Sequence, residues 1–150
     1  MTFLALPQSK VVDVIKVCLG EPTQTLTIDI PPVVASRPRV TRWGTYYGKK
    51  YTQWRKDAEE TIETSMSTIT DPCVVVVEQV VEKPKTSKLS FPRGDVDNYA
   101  KAPLDAMTKK DYWTDDNLIL GMFASKRFAE PGETPRTEVS IYVHKEPNED

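Results

Sequence analysis

The side chains best suited to chemistry lie in residues 93–117, RGDVDNYAKAPLDAMTKKDYWTDDN. Asp95 and Asp97 form an Asp-x-Asp pair, and in extended backbone side chains two residues apart point the same way and can share a cation. Hard carboxylate oxygens suit Mg²⁺ or Mn²⁺, and no Cys/His cluster favours zinc. Asp115 and Asp116 follow about twenty residues later. A helix is predicted in between, so a third carboxylate could return to the same edge of a sheet. Lys101, four residues after Asp97, projects from the first turn of that helix, where it could touch a phosphate or offset charge developing in a transition state. Each piece also has a structural reading. Asp97 could be a helix N-cap. Asp97 with Lys101, and Lys101 with Asp105, have the spacing of surface i,i+4 pairs, and Asp115-Asp116 could be turn residues. Their coincidence sets a metal site level with the structural readings, because acids crowded beside a Gly-bearing loop repel one another unless a cation neutralises them.

A second constellation interleaves cations with aromatics: Arg37, Arg39, Arg42, Trp43, Tyr46, Tyr47, Lys49 and Lys50. Lys and Arg neutralise phosphates and release counterions, and Trp43, Tyr46 or Tyr47 could stack on unpaired or distorted bases. Tyr51 and Trp54 are read instead as core. Lys83, Lys85, Lys88 and Arg93 add a basic run next to the carboxylates, where a scissile phosphate would sit. Phe91, in the same run, suits either insertion at a strand crossover or ordinary burial. His144, the only histidine, falls on the polar face of the last strand and is read as incidental, which argues against His-based catalysis.

Local patterns supply the elements that must position these groups. Residues 9–20 favour a helix capped by Ser9 and ended by Gly20. Leu26, Ile28 and Ile30 alternate as a half-buried strand stopped by Pro31-Pro32, and residues 33–50 read as a loop or irregular hairpin. Tyr51, Trp54, Ala58, Ile62, Met66 and Ile69 predict one apolar helix stripe ending at Asp71-Pro72. Cys73–Val81 is β-branched and reads as the central strand, and residues 82–94 as a mobile polar loop. Val96 to Met107 follow helical spacing, with Pro103 required in the first turns or at a kink. Residues 118–128 and 137–143 read as strands, the second with Val139, Ile141 and Val143 inward, and residues 145–150 as a frayed acidic tail. The order β-α-β-α-β-β predicts an α+β fold, a mixed β-sheet with helices packed on one face.

The 150 residues suit a single domain. The formal net charge is −2, yet residues 37–56 carry seven basic and no acidic side chains, leaving 13 basic against 22 acidic elsewhere, a net of −9. Where the charges sit, rather than their sum, indicates a polyanionic partner. Two cysteines, Cys18 and Cys73, each in an apolar run, are expected to be buried free thiols in a reducing compartment. No signal peptide or membrane-length apolar run is read, so a cytoplasmic protein is expected. An isolated Asp-x-Asp pair can also hold a sugar nucleotide in a glycosyltransferase, but the chain is short for that fold and has no βαβ nucleotide site.

The segment Arg93-Gly-Asp-Val-Asp-Asn-Tyr-Ala-Lys101-Ala-Pro-Leu-Asp-Ala-Met, followed by Tyr-Trp-Thr-Asp-Asp116, closely resembles the signature of the RusA family of Holliday junction resolvases, D-x-D-N-x-x-K-x-x-x-D-A-L and then W-x-D-D. Met107 takes the place of the usual Leu. Residues 26–60 also resemble the family's opening strand, basic loop and first helix, so the likeness runs from about residue 24 to 144, and residues 1–23 form an N-terminal extension without a counterpart. The resemblance implies a small, dimeric, Mg²⁺-dependent endonuclease of phage or prophage type that resolves four-way DNA junctions by paired symmetric nicks, with no small-molecule cofactor and no membrane. It places the catalytic acids and metal ligands on Asp95, Asp97 and Asp116, the essential lysine on Lys101, and supporting roles on Asp115 and Asn98. DNA contacts are expected from Arg37, Arg39, Arg42, Trp43, Lys49, Lys50, Lys85, Lys88 and Arg93. The alternative is a catalytically silent junction- or duplex-binding protein.

Overall fold

The computed structural model describes residues 1–36, 39–46 and 48–147, and for Arg39, Thr45 and Tyr46 the backbone alone. Its frame is a four-stranded mixed sheet in the order β1-β6-β4-β5, with β1 at Gln24–Ile28, β4 at Cys73–Val81, β5 at Ile119–Phe128 and β6 at Arg136–Val143. β6 pairs antiparallel with both β1 and β4, whereas β4 and β5 are parallel. A separate hairpin joins β2, Arg39–Thr41, to β3, Gly44–Tyr46. Among the described residues three α-helices complete the fold: α1 at Val11–Leu19, α2 at Lys49–Thr61 and α3 at Val96–Lys109. The α+β class and mixed sheet expected from the element order are present, but the helices lie on both faces of the sheet instead of one.

The β-branched run of β4 is buried on both faces, as a central strand should be. Alternate residues Cys73, Val75 and Val77 meet Tyr51, Trp54 and Ala58 of α2 and Ala102 and Met107 of α3, and Val139 and Ile141 of β6 join the same core. The α2–α3 layer therefore covers one face. Val76 and Tyr142 point to the other, where Val12 of α1 packs with Ile15 beside it. The N-terminal extension is thus a packing element of the sheet's second face. A short 3-10 turn, Gln8–Lys10, leads into it, and Gln8 donates to the Ser90 carbonyl at 3.1 Å.

Several local expectations need correction. Ser9 does not cap α1: Pro7 opens the 3-10 turn and no side chain caps either segment. Gly20 does end the helix, at φ +82°, which favours glycine. Cys73 is buried but Cys18 is exposed, because α1 buries only the Val12 side against the sheet. α2 stops at Thr61 instead of Asp71-Pro72. The sequence TIETSMSTIT is rich in hydroxyl and β-branched residues, which compete with or crowd helical backbone. Met66 is accordingly fully exposed, and Ile69 is buried through a parallel bridge to Trp113. Phe91 is 49% exposed. His144 lies beyond β6 and pairs with Glu146 at 3.2 Å. Among the described residues no helix is long and apolar enough to cross a membrane.

Candidate nuclease site

The polar loop after β4 ends at Asp95, whose extended backbone, φ −69° and ψ 138°, makes it the N-cap of α3 without a side-chain capping bond. Asp97 lies in the first turn. Both are exposed, and the positive end of the helix dipole stabilises the two carboxylates. Three contacts fix this corner. Lys126 of β5 donates through Nζ to the Pro92 carbonyl at 2.6 Å and to the Gly94 carbonyl. The Ala35 N–H donates to the Asn98 carbonyl at 3.0 Å. Gly94 admits no side chain: a Cβ there would collide with Val34 and lie 2.7 Å from a Tyr99 ring carbon.

One turn after Asp97, Lys101 pairs with Asp105 at 3.2 Å. At the far end of α3, Asp111 takes φ +61° and turns the chain back. The segment that follows is tied to residue 69: the Ile69 N–H donates to the Tyr112 carbonyl at 3.0 Å and the Thr114 N–H to the Ile69 carbonyl at 3.1 Å. Buried Trp113 donates through Nε1 to the Thr108 hydroxyl at 2.7 Å. This frame delivers Asp115 and Asp116 to the mouth of β5. Asp115 accepts from the Asn117 N–H at 2.9 Å. The adjoining Asp115 carboxyl, with partial desolvation and the charge of Asp105, raises the pKa of Asp116 above the usual carboxylate value, and Lys101 opposes the rise.

The chain thus gathers Asp116, Asp115, Asp105 and Lys101, and sets Asp95 and Asp97 at the N-terminus of α3. Among the described residues no three Asp, Glu, His or Cys side chains converge closely enough to hold a metal ion. The i,i+4 spacing marks Asp105 as a partner of Lys101, and that pair is present, but no local pattern marks Lys126.

Of the basic residues, Arg42 and Trp43 occupy the β2–β3 turn, with the guanidinium 4.8 Å from the ring centroid and Trp43 75% exposed. The Gly48 N–H donates to the Ser36 hydroxyl at 2.8 Å and closes the hairpin's base. Lys49 and Lys50 stand exposed in the first turn of α2, where the helix dipole favours anions. Lys85, Lys88 and Arg93 are exposed on the 82–94 loop. The Arg39 side chain, Arg37 and Tyr47 lie outside the described residues. A groove of about 640 Å³ runs between α2 and α3, with Lys101, Asp105 and Asp116 along it.

A family model described as Endodeoxyribonuclease RusA matches residues 29–142. No curated protein matches the chain.

Proposed function

The chain belongs to the RusA family of endodeoxyribonucleases, enzymes that resolve Holliday junctions, and from that premise we propose that it nicks four-way DNA with Asp95, Asp97 and Asp116 as ligands of a divalent cation, Mg²⁺ or, in its place, Mn²⁺. The observation that supports the site assignment is that Asp116, which follows Asp115 directly, lines one groove with Asp105 and Lys101. These two adjacent exposed carboxylates, with Asp105 and Lys101 along the same groove, form a set of hard oxygen donors whose mutual repulsion a cation relieves. When bound, the cation supplies Lewis-acid neutralisation of the scissile phosphate and a water of lowered pKa.

The protein's own groups orient that chemistry. Asp115, fixed by the Asn117 N–H, places a second carboxylate directly beside Asp116. Lys101, oriented by Asp105, offsets negative charge on the leaving oxygen, so that the nick ends in a 5′-phosphate and a 3′-hydroxyl. The Arg42–Trp43 turn, Lys49, Lys50 and the Lys85–Arg93 loop bind the DNA arms through phosphates and exposed bases, with Arg37 and Arg39 adding charge.

Resolution by paired nicks needs two sites related by the junction's own symmetry, so the acting unit is a twofold homodimer. The antiparallel run of α3 against β5 supports this. Gly94, beside Asp95, is held at Lys126, whereas Asp116 precedes Ile119 at the other end of β5. The two ends are about 23 Å apart along a strand rising about 3.3 Å per residue. A second copy related by a twofold across the open edge of β5 would set Asp95 and Asp97 of one chain near Asp116 of the other.

Cleavage of an end-labelled four-way junction tests the reading. The wild-type protein with Mg²⁺ is expected to give symmetric nicks, and Asp97→Asn to bind the junction without cutting it. Cutting by Asp97→Asn at the wild-type rate would refute the assignment.

A further inference from the structure

The groove between α2 and α3 is larger than the contacts of a scissile phosphate require, and its lining is graded. Its inner wall is apolar, formed by Tyr51 and Trp54 of α2 and Ala102 and Ala106 of α3. Trp54 is buried, and its indole N–H has no hydrogen-bond partner among the described residues. The rim is cationic, with Arg55 and Lys56 on one bank and Lys109 and Lys110 on the other. Arg55 lies 5.6 Å from the Tyr51 ring centroid. The acids Glu59, Asp105 and Asp116, with Lys101, complete the lining.

An apolar wall, acceptor carboxylates and a cationic rim match the three parts of a nucleotide: an aromatic base, its polar edge and its phosphate. The 640 Å³ volume falls within the range of about 300–1,000 Å³ typical of ligand sites. We propose that this groove receives a single unpaired nucleotide at the branch point of the DNA, with its base between α2 and α3 and its phosphate at Lys56 and Lys109. The inference rests on the junction-endonuclease reading and adds to it a base and phosphate subsite that adjoins Asp116 and Lys101 and lies apart from the basic hairpin. Because Lys101 and Asp116 line the same groove, a nucleotide seated there sets the strand's register against the cleavage chemistry. A base that is already unpaired enters without the cost of unstacking and unpairing.

The test compares two four-way junctions, one fully paired and one carrying an unpaired 2-aminopurine nucleotide at the branch, with full-length protein in Ca²⁺. Wild-type protein is expected to bind the unpaired form about tenfold more tightly, with a change in 2-aminopurine fluorescence. Ala106→Phe, which fills the groove, and the double variant Lys56→Ala/Lys109→Ala, which strips its rim without touching the core, should each lose that preference while binding the paired junction within about threefold of wild type. Equal binding of both junctions by the wild type, or a preference retained in the double variant, overturns the groove assignment. Parallel cleavage of the paired junction in Mg²⁺ separates the two levels: a wild-type protein that cuts but shows no preference defeats the groove alone, and one that cuts neither junction defeats the endonuclease reading and the groove with it.

Discussion

Gln79 of β4 stands in for the backbone N–H that Pro103 lacks in the middle of α3. In a regular helix the Tyr99 carbonyl would accept from residue 103, and proline has no N–H to give. The Gln79 amide donates to that carbonyl at 2.8 Å, and its own carbonyl accepts from the Thr137 hydroxyl at 2.5 Å. Both Gln79 and Thr137 are buried. One side chain thus ties β4, β6 and α3 together within two turns of the candidate site, and Pro103 continues the helix interior without leaving an orphan acceptor.

Gln79→Leu should therefore cost about 2–4 kcal/mol, because it strands the Tyr99 carbonyl and removes the Thr137 partner at once. Pro103→Ala restores a helical donor to Tyr99, so the double variant should recover a clear part of that loss. Urea unfolding of the four proteins of this cycle measures the coupling. Strict additivity would show that Gln79 and Pro103 are independent.

The corner that presents Asp95 is held from β5. Lys126→Met keeps the length of the side chain and removes its donors to Pro92 and Gly94, so kcat is expected to fall about 10–100-fold through displacement of Asp95, with junction affinity little changed. Gly94→Ala forces the loop away from Val34 and Tyr99 and should lower both kcat and stability. Single-turnover cleavage and thermal unfolding distinguish the two variants.

How much of this was legible in the chain depends on the range of the interactions. β4 and β6 were readable because period-two alternation and β-branching are local properties; Val139 and Ile141 are buried as expected, but Val143 is half-buried and Ser140 and Tyr142 are buried on the other face, because α1 covers it. The candidate acids and Lys101 were readable because they sit in one short segment. What joins them was not. Lys126 reaches Gly94 across 32 residues and Gln79 reaches Tyr99 across 20, and no local pattern encodes such distances. α2 was read as too long because Met66 and Ile69 continue its three-and-four spacing. Ile69 is buried for another reason, its bridge to Trp113, and apolar spacing alone does not distinguish a helix stripe from two separate burial events. Cys18 misled in the same way, since an apolar run does not say which side of α1 meets the sheet.

The β2–β3 turn offers a measurement of DNA contact. Arg42→Ala should reduce the slope of log K against log salt by about one, the value for loss of one phosphate contact. Trp43→Ala should leave the slope unchanged and weaken binding to branched DNA by about 1–3 kcal/mol. If Trp43→Ala has no effect, the exposed ring does not stack on a base.

On the opposite face of the sheet, Arg127 is buried between Glu78, 3.5 Å away, and Glu133, with which it forms a two-pronged pair at 2.5 and 2.7 Å. Burial raises the pKa of Glu78. The hydrogen bonds from Arg127 pull Glu133 the other way, from an ordinary value of 4.5 to about 2. A carboxylate whose pKa is lower in the folded state stabilises the fold above its unfolded pKa and loses that contribution as pH falls through the folded one. The Glu133 contribution should be complete above pH 4.5 and fade as pH drops towards 2, with a total on the order of 3 kcal/mol. Glu133→Gln should accordingly be less stable at neutral pH and show a shallower loss of stability on acidification, as read from urea midpoints across that window. Arg127→Met should cost more, about 3–5 kcal/mol, because it leaves the buried Glu78 carboxylate without its counter-charge. Removing Glu78 as well, in Glu78→Gln/Arg127→Met, should return part of the loss; a double variant no more stable than Arg127→Met would show that Glu78 is not the carboxylate Arg127 neutralises.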